Sequence, residues 1–165
     1  MALYFFNYTG QTVWVAFAYY DPSCGAANQN FRKQGWWQLE PSHGPFQPYQ
    51  PFNAWNVDLR TVNRFAYFYA EAADGSNWSG TGNSWLSVNP AAPFKQCAFE
   101  GADDSQWVDF YGLDFSLTFA DFDTVVNLFE WGVPTLLQYP GLPRVQVNAV
   151  SHDTLQAIIG LGEPG

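Results

Sequence analysis

The sequence predicts a mainly β protein, an antiparallel β-sandwich or flattened barrel with a C-terminal extension, and three observations carry that expectation. The first is period. In residues 12–20, Val13, Val15, Phe17 and Tyr19 share one face and Trp14, Ala16, Ala18 and Tyr20 the other, as the two-residue repeat of a strand requires. Residues 65–72 alternate in the same way, with Phe65, Tyr67, Tyr69 and Glu71 opposite Ala66, Phe68, Ala70 and Ala72. The small alanines leave room for neighbouring rings to interdigitate. The second is composition: aromatic residues make up 19% and charged residues only 13%, about half the usual charged share, so the chain is built to bury rings. The third is the spread of glycine, proline and asparagine along the whole length, which suits many short strands joined by turns. At 165 residues the chain is long enough for a substantial core. Residues 1–119 read as an aromatic-rich β domain and 120–165 as an extension packed on it and on a neighbouring subunit.

Residues 3–8 form the first expected strand, closed by a turn at Thr9-Gly10, and 12–20 the second. Asp21-Pro22 opens the loop DPSCGAANQN. The third strand, 31–39, contains Gly35-Trp36-Trp37 and ends before Pro41. Consecutive strand residues face opposite ways, so one tryptophan enters the core and the other lies on the second face, with Gly35 marking a bulge or close backbone approach. Residues 41–56 carry four prolines and read as a surface loop, either a recognition loop or a cover for a sheet edge. Strands are expected at 57–62 and 64–72, with a hairpin turn at Asp74-Gly75. Further strands are expected near 84–88, at 94–100, and as one long alternating strand over 106–119. DTVVNLFEWG suits a short helix from Asp123 to Gly132 or a valine-rich strand. Residues 144–150 read as a strand, and SHDTLQAIIG as a helix capped by Ser151 and stopped at Gly160.

The succession FNYTGQTVWVAFAYYD, GWWQLEP, RFAYFYAEAADGSNWSG and then Cys97 after Phe94 resembles a small bacterial family catalogued as domain of unknown function ten-thirty-six. The family's pattern runs asparagine-x-threonine, an aliphatic-aromatic strand, GWW-x-L-x-P, YYYAE, W-x-G and a cysteine. The likeness spans about residues 4–116. It implies a fold and brings no activity. The family often carries one cysteine before the asparagine and another after GWW. Phe6 and about Ser42 stand there in this chain, so a disulfide framework on those positions is lost.

Charge narrows the function. No basic residue lies between Lys95 and Arg144, a span holding eight of the fifteen acids. With six basic residues in all, the chain offers little cation to phosphate backbones or anionic membranes. Nucleic acid is therefore excluded as a partner, and no run approaches a transmembrane span. The start, MALYFFNYTG, lacks the features of a signal peptide, which points to a cytoplasmic protein or one exported without a cleaved signal. The sequons at Asn7 and Asn77 then read as Asx and Ser/Thr turn chemistry. For a cytoplasmic chain, Cys24 and Cys97 read as two reduced thiols, with a Cys24–Cys97 disulfide as the alternative.

Catalytic motifs are missing: there is no G-x-S-x-G, dinucleotide fingerprint, P-loop or zinc spacing. Glu71 and Asp74 form the one carboxylate pair considered for a glycan-acting hydrolase, which would need them to flank a ring-lined groove. No cofactor is expected beyond calcium, for which Asp103, Asp104, Asp121 and Asp123 supply hard oxygen ligands in loops; the alternative is a solvated acidic face. The sequence thus predicts a non-catalytic interaction or self-assembly module forming a homo-oligomer. The alternative is a carbohydrate-binding domain with Trp55, Trp78 and Trp85 as exposed stacking rings.

Overall fold

A computed structural model describes residues 3–41, 52–55, 65–101, 105–114, 123–130 and 134–139. The two alternating segments form the middle of the molecule. They become strands β2 (Val13–Tyr20) and β5 (Phe65–Ala72), antiparallel neighbours with Phe17 opposite Phe68 and Ala16 opposite Tyr69. Strand β3 (Phe31–Leu39) pairs with the other edge of β2, β8 (Phe94–Cys97) with β3, and β10 (Tyr111–Asp114) with β5. The two-residue β6 (Asn77–Trp78) adds to β5 across the turn at Asp74-Gly75.

Each face of this sheet is covered by a different partner. On one face lie Val13, Val15, Phe17, Ala66, Phe68 and Ala70, packed against a second sheet of β1 (Leu3–Asn7), β4 (Phe52–Trp55), β11 (Asp123–Leu128) and β12 (Thr135–Tyr139). On the other lie Ala16, Ala18, Trp36 and Tyr69, packed against a two-stranded ribbon of β7 (Trp85–Val88) and β9 (Gln106–Asp109). The fold is a β-sandwich with an extra ribbon, and among the described residues the sheets form no closed barrel.

This double covering changes the expectation for the tryptophan pair. Trp36 and Trp37 do point to opposite faces, but both are core, at 0% and 5% exposure, because both faces are covered at this point. Gly35 is needed beside them. A Cβ there would stand 2.9 Å from the Phe94 ring, which packs edge-on against Trp36. The β2–β3 register shifts at this point, between Val15 and Phe17.

Three further expectations are revised, and one left open between helix and strand is decided. Residues 52–55 are a strand rather than loop; this stretch lacks proline, and it sits at a sheet edge pairing with β1. The long strand expected over 106–119 is broken at Phe110, so that β9 joins the ribbon and β10 the middle sheet. Gly80 permits this switch, since a Cβ there would lie 2.3 Å from the Phe110 carbonyl oxygen. DTVVNL is a strand, as its valines favour. Strand β11 lies between β12 and β1, parallel to β1, with Val126 and Leu128 fully buried in the shared core. The part of the expected extension that includes β11 and β12 therefore builds the second sheet of the sandwich. The strands expected at 57–62 and 144–150 and the helix from Ser151 lie outside the described residues.

The asparagine turns behave as expected. Asn7 Oδ1 accepts from the Thr9 amide at 2.9 Å and its hydroxyl at 2.7 Å, while Asn7 Nδ2 donates to the carbonyls of Gln11 and Glu40. Ser79 Oγ donates to Asn77 Oδ1 at 3.0 Å.

Candidate ligand-binding cleft

The ribbon does not cover the middle sheet completely. Beyond its end a cleft of about 200 Å³ opens, floored by Ala18, Phe31, Tyr67 and Leu86 and flanked by Trp85 and Phe99. Those two flanking rings are 52% and 47% exposed, which is unusual among the described large apolar side chains, most of which are buried.

One wall is the turn after β8. At its anchor the bridged alternative holds over two reduced thiols: Cys24 and Cys97 form a disulfide, with Cα atoms 5.4 Å apart. Far apart in sequence, they meet because β3 pairs Arg32 with Cys97, and the loop before β3 folds back through the Asp21 amide bonded to the Asn30 carbonyl. Around the bridge, Asn28 Nδ2 donates to the Cys24 carbonyl, and Asn28 Oδ1 accepts from the Phe99 amide at 2.8 Å. Asp21 accepts from Ser23 and from Arg32 Nε at 2.6 Å, and the Arg32 guanidinium lowers its carboxyl to about 2. Beneath the turn, buried Lys33 donates through Nζ to Ser87 Oγ at 2.8 Å and to the Glu100 carbonyl. Burial lowers its ammonium pKa to about 8. Phe99 is thus exposed on a turn held by a covalent bridge, an amide and a buried cation.

The opposite wall is the loop 80–84 leading into Trp85. Its brace is the buried carboxylate of Asp109, which accepts from the backbone amides of Gly82 and Ser84, the latter at 3.0 Å. The Trp85 indole Nε1 donates to the Gly82 carbonyl at 3.2 Å, which fixes the ring's edge, and the residue stays half-exposed. Asn83 and Gln29, both exposed, add amide groups at the rim. Flat rings with a few amides suit a neutral polyhydroxylated ligand, because they offer apolar faces and hydrogen-bonding groups side by side.

Of the three expected stacking rings, Trp85 lines this cleft. Trp78 is core: it is 6% exposed, packs among the inter-sheet residues, and donates its indole N–H to the Phe129 carbonyl. It is buried because β6 pairs beside β5 with Trp78 opposite Ala70, which puts the ring on the inner face of the sheet. Trp55 belongs to β4, whose backbone pairs with β1. Glu71 and Asp74 stand in different surroundings. Glu71 is buried, where its hydrogen bond and charge add to the burial that raises the Tyr69 phenol pKa. Asp74 is exposed in its turn, with its carboxyl held near 2 by Ser76 and Gln11, and it lines a separate polar cleft with Glu130. A general acid needs the opposite shift. Asp103, Asp104 and Asp121 lie outside the described residues, and Asp123 begins β11. Among the described residues no group of three or more His, Cys, Asp or Glu side chains is arranged to hold a metal ion. No described helix is long and apolar enough to cross a membrane.

Sequence reasoning missed Phe99, Lys33 and Asp109. Phe99 follows the short β8, and nothing in its local pattern separates an exposed ring from a core one. Comparisons with protein-family models, curated proteins and solved structures find no match.

Proposed function

We propose that this protein is a non-catalytic binding module whose ligand is a neutral carbohydrate, held in the cleft between Trp85 and Phe99. The observation that carries the reading is the pair of half-exposed rings on two independently braced walls. A rigid site loses less entropy when it binds, and rigid stacking surfaces suit a ligand with few charged groups. The acidic balance favours neutral over anionic sugars. The disulfide favours an oxidising compartment, and hence the exported alternative over the cytoplasm. A glycan array followed by titration calorimetry tests the reading. Trp85→Ala and Phe99→Ala should each weaken binding about tenfold or more, equivalent to roughly 1.4 kcal/mol. An array blank at high protein concentration removes the carbohydrate reading.

A second reading, self-assembly, draws on Trp107, which is 62% exposed and diagonal to Trp85 across the β7–β9 ribbon. Such exposed ring pairs are common at protein interfaces. Light scattering of the wild type and Trp107→Ser distinguishes the two. A larger species that the substitution dissolves supports assembly, and a monomer at all concentrations rejects it.

A further inference from the structure

The cleft between Trp85 and Phe99 has a neighbour. A second cleft of about 350 Å³ lies along the 80–84 loop beside β10, lined by Gly80, Thr81, Asn83, Ser84 and Gly112. Asn83 and Ser84 line both clefts, so the loop is a shared wall. Tyr67 links them on the sheet side: its ring lines the first cleft, and a Cβ at Gly112, in the second, would lie 3.4 Å from that ring. The loop between them is held from beneath by the Asp109 carboxylate through the amides of Gly82 and Ser84, which leaves the Thr81 and Asn83 side chains exposed. Size also bears on the ligand. The first cleft, at about 200 Å³, is smaller than the roughly 300–1,000 Å³ typical of a site enclosing a drug-sized molecule, whereas the second, at about 350 Å³, and the two together fall within that range.

We propose that the two clefts form one groove with two subsites, and that the ligand is an oligosaccharide chain rather than a single sugar. This rests on the carbohydrate reading above. The first subsite stacks one sugar between Trp85 and Phe99, and the chain then crosses the loop at Asn83. The second subsite takes the following units by hydrogen bonding with Thr81, Asn83 and the backbone near Gly112. Its lining is mostly small and polar, so it adds affinity and selects for chain length, and the ring-lined subsite supplies the anchor.

The test is calorimetric titration of the full chain with the maltose, cellulose and chitin oligomer series, each as dimer, tetramer and hexamer. In the series that binds, affinity should rise about tenfold or more from dimer to hexamer. Gly112→Gln, which places a side chain in the second cleft from an exposed strand position, should abolish that rise. Thr81→Ala should reduce it in the same direction. Melting curves matching the wild type establish that both variants are folded. Equal affinity for dimer and hexamer, or a length dependence that Gly112→Gln leaves intact, overturns the two-subsite groove while the carbohydrate reading stands. No binding in any of the three series, with an array blank as well, overturns both.

Discussion

Removing the Cys24–Cys97 bridge should be among the most destabilising changes that leave the hydrophobic core untouched. The two cysteines are 73 residues apart in sequence, and the loop they close contains β3 to β7 and most of β8. Cross-linking a loop of that length removes chain entropy from the unfolded state equivalent to about 4.5 kcal/mol at 25 °C, in a model whose measured range is roughly 0–5. A domain of this size has a total stability of roughly 5–15 kcal/mol, so the loss should be evident in any denaturation curve. The assay is guanidinium unfolding followed by tryptophan fluorescence, comparing the oxidised wild type with a Cys24→Ser/Cys97→Ser double variant. A loss of about 3–5 kcal/mol is expected. The change should reach the cleft as well, because Asn28 bonds both the Cys24 carbonyl and the Phe99 amide. A thiol titration of the unfolded, unreduced protein should find no free cysteine. Two reactive thiols, or a variant within about 0.5 kcal/mol of the wild type, would refute the argument.

The covered faces make Trp36→Ala and Trp37→Ala both costly, about 3–5 kcal/mol each by chemical denaturation; a small loss for either would mean that one face of the middle sheet is open. Leu128→Ala should cost about 2–5 kcal/mol, and a chain ending before β11 should be unfolded by circular dichroism, since β1 would lose a neighbour in its sheet; a folded truncated monomer would contradict this. Lys33 should make stability depend on alkaline pH. Its ammonium titrates near 8 when folded and at about 10.5 when unfolded, so the unfolded chain binds more protons between those values and stability rises with pH across that window. The rise is at most about 3 kcal/mol and is opposed above pH 10 by Tyr69, whose raised phenol pKa makes folding less favourable there. Lys33→Met should flatten the rise between pH 8 and 10, and an unchanged slope in the variant would show that Lys33 is not its source.

The sequence by itself determined which residues share a face. The alternation in 12–20 and 65–72 separates the inner from the outer side chains of β2 and β5, and the asparagine turns at Asn7 and Asn77 follow from short-range chemistry. These are local properties, set by the two-residue pleat and by side chains that reach their own backbone. What covers each face depended on pairing between distant segments. That Trp37 meets the β1 sheet while Trp36 meets the ribbon, that Trp78 is core while Trp85 is half-exposed, and that β11 joins β1 in parallel all follow from which strands meet. The same holds for the candidate site. Trp85 was readable as a ring beside a turn. Its partner Phe99, the disulfide behind it and the buried Lys33 beneath it come together only because β8 pairs with β3. A strand's period is repeated within a few residues, whereas a cleft is made where separate elements stop covering one another, and no short stretch of sequence carries that information.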